Sequence, residues 1–298
     1  MLVDVRSPAE YAHAHIPGAV NIAILNNEER HLVGLCYKQK GKDQAVELAL
    51  ELVGPKFASY VKKARSFESV EVYCWRGGMR STSMAWLFNL AGIPTTVREG
   101  GYKLYRQEVL TILSRPYKLR ILTGFTGCGK TEVLRTKEQY IDLEALANHR
   151  GSAFGALGLG PQPSNEQLEN CIAAQLLQLD PNKEIWVEDE SRVIGSCKIP
   201  DAFFETMRCS ERETLNCSFE ARMDRLISTY GNYPTPDLEK SILQLTKRLG
   251  GKRTQEAIKL LYENKLRECF TLLLEYYDKA YEKSQNRYNR YNGTLSKS

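Results

Sequence analysis

A cysteine set among glycine and arginine is the first place in this sequence where chemistry could be done. Residues 74–81 read CWRGGMRS, after an apolar run that predicts a strand and before a stretch with helical spacing. A loop at a helix N-terminus points backbone N–H groups at an anion, and glycines let it curl around one. We therefore predict a thiolate nucleophile in an anion nest, because such surroundings lower the pKa of a thiol. The assigned groups are Cys74, Arg76 and Arg80 as catalytic residues, with Gly77 and Gly78 as the nest.

A second segment has the pattern of a phosphate-binding loop. Residues 124–131 read GFTGCGKT and match G-x-x-x-x-G-K-[ST] in full, between an apolar strand and a helix. Backbone N–H groups of such a loop surround a diphosphate, its lysine neutralises the charge, and its hydroxyl can reach Mg²⁺. The predicted phosphate-binding residues are Gly124, Gly127, Gly129, Lys130 and Thr131.

Carboxylates and other polar groups follow two further predicted strands. Asp189 is the first candidate and Glu190 the second for holding Mg²⁺ through water beside the P-loop. The alternative is that these carboxylates form ion pairs with Arg192 and Arg150. Residues 142–155, polar and rich in glycine, are interpreted as a substrate loop. Its candidate residues are Asp142, Glu144, His149, Arg150 and Ser152.

The elements that position these groups alternate between strand and helix, which favours parallel sheets covered by helices. Strands are expected at 2–5, 20–22, 70–73, 95–97, 119–123, 140–142 and 185–187, and helices near 9–14, 44–66, 81–90 and 104–113. The pattern restarts after Pro116, and beyond Pro236 it is helical, with a break at Gly250. We therefore expect an α/β domain over residues 1–115, a P-loop α/β domain over 116–235 and a helical region over 236–298.

Composition excludes several classes of protein. The chain has 298 residues, of which 42% are hydrophobic and 26% charged, as in globular proteins, and no apolar run is long enough to span a membrane. The charged first ten residues do not resemble a secretory signal, so a cytoplasmic location is expected. Eight cysteines at irregular spacing, with no C-x-x-C pair, predict neither a disulfide framework nor a structural metal site.

Positive charge is concentrated near the C-terminus. The net charge of the chain is +5, whereas residues 240–298 alone carry +7 together with six tyrosines. Basic residues interleaved with aromatic ones suit RNA, because phosphates take the charge and bases stack on the rings. Composition alone favours a solvated helical face with tyrosines packed beneath it.

Motifs along most of the chain resemble known families. The N-terminal motifs resemble the rhodanese family, in which Asp4, Arg6 and His15 would be scaffold positions. The two domains together resemble the tRNA 2-selenouridine synthase family, from about residue 2 to residue 281. The matching segments are DVRSPAEY (4–11), HIPGAVN (15–21), NNEER (26–30), VGLCYKQ (33–39), the Cys74 loop, EGGYK (99–103), the P-loop, DLE (142–144), HRGSAFG (149–155), EDESRVIG (188–195) and EYYD (275–278). The N-terminus departs from the rhodanese pattern, because only three residues precede Asp4 where a strand and a helix are usual. A misassigned gene start, a trimmed domain or an edge supplied by a partner would each account for this.

The second resemblance implies an activity. Selenium would replace sulfur at C2 of the wobble 2-thiouridine of tRNA, with selenophosphate as donor, after geranyl diphosphate has alkylated the sulfur. It also implies tRNA as partner, held by the basic helices after Lys240, with selenophosphate synthetase as a candidate partner. Which tRNAs are chosen, whether ATP or GTP binds and whether the protein oligomerises stay open. Two alternatives remain, namely a nucleotide-dependent kinase or ATPase with a regulatory rhodanese module, and a persulfide carrier that passes sulfur to other enzymes.

Overall fold

A computed structural model of the chain describes the backbone of residues 1–295 and the side chains of residues 1–283. The chain forms two compact units. The N-terminal unit comprises residues 1–112 together with residues 169–174. The C-terminal unit comprises residues 113–168 and the chain from residue 175 onward.

The N-terminal unit alternates strands and helices, as its sequence predicts. Its elements are β1 (Leu2–Asp4), α1 (Pro8–His13), β2 (Val20–Asn21), α2 (Asn27–Lys40), α3 (Lys42–Val53), α4 (Phe57–Ala64), β3 (Val70–Tyr73), α5 (Met79–Leu90), β4 (Thr95–Val97) and α6 (Gly101–Leu113). The four strands form a parallel sheet in the order β2-β1-β3-β4. Its core includes Val3 and Val72, paired across β1 and β3, and Phe88 of α5. The central position of β3 places the loop that follows it at the carboxyl edge of the sheet.

The helical region between β2 and β3 differs from the expected single helix over residues 44–66. Two helices, α3 and α4, are separated by a 3-10 turn over Gly54–Lys56, because Pro55 cannot continue the hydrogen bonding of α3. Helix α2 was not expected, although Asn26 and Glu29 form a capping box at its start. No residue of α2 is fully buried, so the apolar periodicity that would reveal it is weak.

The C-terminal unit also contains a parallel sheet. Its elements are β5 (Leu119–Thr123), α7 (Lys130–Leu134), β6 (Tyr140–Ile141), α8 (Leu143–Leu146), both ends of α9 (Asn165–Leu176), β7 (Ile185–Glu188), β8 (Val193–Ile194), β9 (Cys197–Lys198), α10 (Asp201–Cys209), β10 (Glu211–Thr214), α11 (Phe219–Tyr230), α12 (Thr235–Gln244), α13 (Thr246–Leu249), α14 (Gly251–Tyr262) and α15 (Leu266–Leu295). Residues 169–174 of α9 belong to the N-terminal unit. Strand order is β10-β5-β7-β6, all parallel, and β8 and β9 form a separate antiparallel pair. The predicted strands at 119–123 and 140–142 and the strand after residue 185 are present. Edge strand β10 was not expected, because the sequence ERET has no apolar alternation.

The helices after residue 236 share one hydrophobic core with the rest of this unit. Phe154 of the predicted substrate loop and Met223 of α11 pack with Leu238 of α12, Ala257 of α14 and Leu273 of α15. The expected helical region and its break at Gly250, where φ is +88°, are confirmed. Among the described residues, no helix combines the length and the apolar composition that crossing a bilayer requires.

Candidate functional site

Cys74 lies between the end of β3 and the start of α5, as its motif predicts. Its side chain is 4% exposed, and Sγ lies 3.3 Å from Oγ of Ser81 and 3.8 Å from the carbonyl oxygen of Gly78. Gly77 has φ of +69° and Gly78 caps α5, so both glycines shape the loop as the nest interpretation requires.

The environment of Cys74 stabilises a thiolate. Burial by itself raises the pKa of the thiol, but the Ser81 hydroxyl, the backbone N–H groups of Arg76 and Ser81, and the charge of Arg80 together lower that pKa below its ordinary value. The Arg76 side chain is exposed, so within the described structure this residue acts on the thiol through its backbone. Ser81, which is fully buried, was not singled out from the sequence.

Arg80 is held beside the cysteine by a distant carboxylate. Its guanidinium donates to Glu10 at 2.9 Å, and Glu10 also accepts from the backbone and hydroxyl of Ser7 at 3.0 Å. Burial raises the pKa of Glu10, but Arg80 and Ser7 outweigh it and leave that pKa lowered. Glu10 therefore positions one of the two predicted arginines.

The first turn of α6 hydrogen-bonds to the Cys74 loop. The backbone N–H of Tyr102 donates to the carbonyl of Cys74, and that of Lys103 donates to the carbonyl of Trp75, both at 2.9 Å. A Cβ on Gly101, where φ is +57°, would overlap the Cys74 carbonyl oxygen and lie 2.6 Å from the backbone nitrogen of Gly77. A side chain at this position would therefore disturb the loop.

The predicted scaffold residues of this unit have structural contacts. Arg6 and Asp4 form a buried ion pair at 2.6 Å, and the Arg6 guanidinium lies 3.9 Å from the ring centre of Tyr102. His15 stacks on Tyr11, with ring centres 3.9 Å apart, and its Nδ1 lies 2.9 Å from the Tyr11 carbonyl oxygen. These contacts support the sheet and turns, in keeping with the scaffold role given to them.

The P-loop runs from β5 into α7. Gly127 and Gly129 have φ near +80°, which favours glycine, and Gly124 has φ of +154° with the Leu215 carbonyl oxygen 2.8 Å from where a Cβ would stand. Nζ of Lys130 donates to the Gly124 carbonyl at 3.1 Å, so the lysine already points into the loop. All five predicted phosphate-binding residues are brought together here.

Residues far along the chain hold the P-loop in place. Arg222 of α11, 4% exposed at its side chain, donates to the Thr126 carbonyl at 2.9 Å and forms an ion pair with Asp278 of α15 at 2.5 Å. Tyr281 of α15 places its ring 4.6 Å from that of Phe125 and its hydroxyl 2.9 Å from the Thr123 hydroxyl. Sequence reasoning missed Arg222, and it included Asp278 only as part of the EYYD match.

Three carboxylates gather beside the P-loop threonine. Glu144, Glu188 and Glu190 place oxygens within 4.8 Å of one another. Glu188 is 3% exposed, and hydrogen bonding to Thr131 lowers its pKa while burial, the larger effect, raises it. Oε1 of Glu188 has no hydrogen-bond partner among the described residues, so a buried acceptor is left over in the cluster. Of the two predicted Mg²⁺ candidates, the structure brings only Glu190 into this cluster.

Asp189 is placed elsewhere. Its carboxylate accepts from Arg212 at 2.6 Å and from the Thr123 hydroxyl at 2.8 Å. Successive residues of a strand point to opposite faces, so Glu188 and Asp189 diverge. Among the described residues, the alternative pairing of this acidic run with Arg192 and Arg150 is not formed. Arg192 pairs with Asp201, and Arg150 donates to the Leu157 carbonyl.

Burial and, to a lesser extent, mutual repulsion disfavour the charged forms of these carboxylates. Burial, together with the neighbouring Glu190 and Glu188, raises the pKa of Glu144 to about 9. Burial and the charge of Glu188 raise the pKa of Glu190 to about 8. A divalent cation would relieve this repulsion, because hard cations prefer carboxylate oxygens. Glu188, Glu190, Glu144 and Thr131 are therefore the residues that would hold Mg²⁺ at the P-loop.

The predicted substrate loop lies against these carboxylates. A Cβ on Gly151 would stand 2.5 Å from Glu144 and 3.1 Å from Glu190. His149 is buried, which lowers its pKa, and its Nδ1 accepts from the Gly151 N–H at 3.2 Å. Asp142 caps α8 and pairs with Arg135, so it serves the fold of the loop. The Ser152 hydroxyl oxygen likewise accepts from the Phe154 N–H.

The tyrosines of the basic C-terminal region have different settings. Tyr276 and Tyr277 pack against the core, and Tyr281 contacts the P-loop. Tyr262 is 60% exposed. The side chains of the two tyrosines at 288 and 291 lie outside the described residues. For the described part of this region, most tyrosines pack inward, which is the interpretation that composition favoured.

Comparisons with known proteins agree with both domains. A family described as "Rhodanese-like domain" matches residues 1–108, and one described as "tRNA 2-selenouridine synthase AAA domain" matches residues 117–294. A tRNA 2-selenouridine synthase of Hydrogenovibrio crunogenus is 34% identical over 94% of this chain and 88% of its own length. A tRNA 2-selenouridine synthase of Nitrosomonas europaea is 40% identical over 77% of this chain and 63% of its own length. One of Shewanella frigidimarina is 34% identical over 96% of this chain and 90% of its own length. The predicted rhodanese-like and P-loop domains are confirmed.

Proposed function

This chain belongs to the tRNA 2-selenouridine synthase family, and we propose that it replaces sulfur by selenium at C2 of the wobble 2-thiouridine of tRNA. The observation that carries the proposal is the Cys74 nest. A buried thiol with a lowered pKa, facing backbone N–H groups, suits an anionic chalcogen. The same chain supplies a diphosphate cradle at residues 124–131, and the two sites divide the reaction between them.

The first step belongs to the P-loop. The thiocarbonyl sulfur of the uridine attacks C1 of geranyl diphosphate, the C–O bond breaks, and inorganic diphosphate leaves. Lys130 and the loop N–H groups stabilise the charge on the departing diphosphate. Mg²⁺, when bound at Glu188 and its neighbours, supplies further neutralisation of that charge.

The second step belongs to Cys74. The selenium of selenophosphate, guided to C2 in the Cys74 nest, bonds to that carbon, and the geranyl thiolate leaves. Water then takes the phosphoryl group as inorganic phosphate, which breaks the P–Se bond and leaves selenium on C2. Alkylation makes the sulfur a better leaving group than the thiocarbonyl it replaces. Arg80, held by Glu10, stabilises the anionic selenium.

The substrate is the anticodon arm of a tRNA, gripped by the basic helices after Lys240. Residues 240–298 carry a net charge of +7, which suits a phosphate backbone. The enzyme acts in the cytoplasm as a transferase, and a selenophosphate synthetase would supply the donor.

Two variants test the division of labour. Cys74→Ala should stop selenation and leave geranylation intact, with Cys209→Ala, an exposed cysteine, as matched control. Lys130→Ala should suppress geranylation, with Lys183→Ala on the surface as its control. Mass analysis of tRNA nucleosides after incubation with selenophosphate and geranyl diphosphate measures both products. Loss of both products in Cys74→Ala, or undiminished prenyl transfer in Lys130→Ala, would contradict the assignment.

A further inference from the structure

Helix α2 begins beside the Cys74 site. The guanidinium of Arg30, near the start of α2, lies 3.8 Å from Glu10, the carboxylate that holds Arg80 beside the cysteine. The helix then continues to Lys40, about 15 Å farther along its axis at 1.5 Å per residue. The far end of α2 is therefore within reach of nucleotides that flank a base held at Cys74.

The turn between α2 and α3 is exposed and basic. Gly41, where φ is +93°, ends α2, and α3 starts at Lys42 and packs back against α2. Val33 and Val53, farther from the turn, contact the hydrophobic core, whereas each of residues 37–44 is exposed. We call residues 37–44 the hairpin tip. Its sequence is YKQKGKDQ, in which three lysines and one aspartate give a net charge of +2.

The stability of the fold does not explain all three lysines of the hairpin tip. In the described part of the chain none of them forms an ion pair, whereas Lys56 of the same unit pairs with Glu29. Lys38 and Lys40 lie in the last turn of α2, where the helix dipole favours a cation. Lys42 is the first residue of α3, where the helix dipole disfavours one.

Tyr37 adds an aromatic ring to the hairpin tip. Its side chain is 60% exposed, whereas Tyr60 of α4 is buried and donates to the Ile24 carbonyl. Exposure to water gives an aromatic ring no stability, but a ring at the surface can stack on an unpaired RNA base. The segment VGLCYKQ (33–39), which contains Tyr37, has no part in the two steps proposed above. A ring beside several cations is what single-stranded RNA binds.

Resting on the proposed function, we propose that the hairpin tip binds the RNA backbone next to the base that lies at Cys74. The three lysines bind phosphates, and Tyr37 stacks on an unpaired base of the same RNA loop. An acidic protein would also suit the lysines, but it would offer Tyr37 no base. The N-terminal unit thus binds RNA itself, in addition to the basic helices after Lys240.

The test measures binding of the full chain to a synthetic anticodon stem-loop that carries 2-thiouridine at the wobble position. Fluorescence anisotropy gives the affinity at several salt concentrations. The triple variant Lys38→Gln, Lys40→Gln and Lys42→Gln should bind on the order of tenfold more weakly at low salt. The slope of log affinity against log salt concentration should fall by about 2 to 3, because each lost phosphate contact removes about 0.7 to 0.9.

The matched control replaces three exposed cations at the end of α4, in the variant Lys62→Gln, Lys63→Gln and Arg65→Gln. It makes the same change of net charge in the same unit, and its affinity and salt slope should equal those of the unmodified chain.

The aromatic ring is tested separately. Tyr37→Ala should weaken binding by about fivefold or more and leave the salt slope unchanged, because stacking involves no counterion. Tyr37→Phe, which keeps the ring, should bind as the unmodified chain does.

An unchanged salt slope in the triple variant of the hairpin tip would overturn the proposal, as would equal losses in the tip and control variants. Unchanged RNA binding combined with loss of the selenated nucleoside in a cell extract would assign the surface to a protein partner and overturn it as well. If the triple variant melts below the control variant, Tyr37→Ala and Tyr37→Phe decide instead, and equal affinities of these two refute the assignment.

Failure of this inference differs from failure of the proposed function. If stem-loop binding depends on the hairpin tip but the chain forms no selenated nucleoside, the surface is confirmed and the function is wrong. If the triple variant forms the selenated nucleoside with an unchanged KM for tRNA, the function is confirmed and the surface is wrong.

Discussion

Removing the Ser81 hydroxyl should raise the pKa of the Cys74 thiol. Ser81 lies 3.3 Å from Sγ and heads the causes that lower the pKa of Cys74 against the opposing effect of burial. In Ser81→Ala the thiolate loses this donor, whereas the neutral thiol loses little, so the pKa of Cys74 rises. The fraction of thiolate at a fixed pH below that pKa must then fall.

The size of the effect follows from the geometry. A hydrogen bond to a charged group stabilises by about 1.5–3 kcal/mol. The single hydroxyl proton of Ser81 also has the Gly78 carbonyl oxygen as acceptor, at 2.9 Å, so turning to the thiolate gives up that bond. The net stabilisation of the thiolate therefore lies near the lower end of this range. A loss of about 1.4 kcal/mol corresponds to a tenfold smaller thiolate fraction.

The rate of alkylation by iodoacetamide, measured over a range of pH, reports the thiolate fraction of Cys74. The reaction is followed by the change in mass of the peptide that contains residue 74. The rate of Ser81→Ala near neutral pH should be about tenfold lower and its pH profile displaced upward. At high pH the plateau should equal or exceed that of the unmodified chain, because thiolates of higher pKa are more nucleophilic. A lowered plateau would instead mean reduced access to the sulfur.

Thr82→Ala is the matched control. The Thr82 hydroxyl bonds to the carbonyls of Gly78 and Met79 in the same turn, without an interaction with Sγ. Its pH profile should be unchanged. If Ser81→Ala and Thr82→Ala give the same profile as the unmodified chain, the thiolate is not stabilised by Ser81, and the reasoning about the nest is refuted.

Three further substitutions have expected outcomes. Asp278→Asn should lower the affinity for inorganic diphosphate by about tenfold and lower the melting temperature, since the almost fully buried Arg222 loses its ion partner at a cost of about 2 to 3 kcal/mol. Calorimetry measures both quantities. Asp224→Asn, at an exposed aspartate, is the control and should change neither. Glu188→Gln should abolish the Mg²⁺-dependent part of diphosphate affinity, and an unchanged Mg²⁺ titration contradicts the cation site. Gly101→Ala should slow alkylation of Cys74 and destabilise its unit, because a Cβ overlaps the loop carbonyl, whereas Gly92→Ala, with open space around it, tests the strain of positive φ alone.

Both sites could be located from sequence because each is built on a contiguous segment. The Cys74 loop and the P-loop each carry their glycines, cations and reactive residue within eight positions, between a strand and a helix. Backbone conformation over so short a stretch is set locally, by residues that tolerate positive φ. The parallel sheets followed from the alternation of strands and helices.

What sequence reasoning missed depends on contacts between distant segments. Glu10 reaches Arg80 across 70 residues, and Asp278 reaches Arg222 across 56. Neither pairing leaves a local pattern. For a different reason, the sequence did not show that Glu188 and Glu190, rather than Asp189, lie in the carboxylate cluster. Adjacent residues at a strand end face opposite ways, and only the position of Thr131 in space shows which one faces the loop.

The contacts of α15 beside the P-loop form late in translation, because α15 is the last helix of the chain. Thr123, the last residue of β5 before the P-loop, and Tyr281 lie 158 positions apart. At roughly 5–20 residues per second, the ribosome needs on the order of ten to thirty seconds between them. Throughout that interval the nascent chain lacks Asp278, the ion partner of Arg222, and Tyr281, which contacts Phe125. The contacts that α15 makes beside the P-loop are therefore complete only after the last helix has been synthesised.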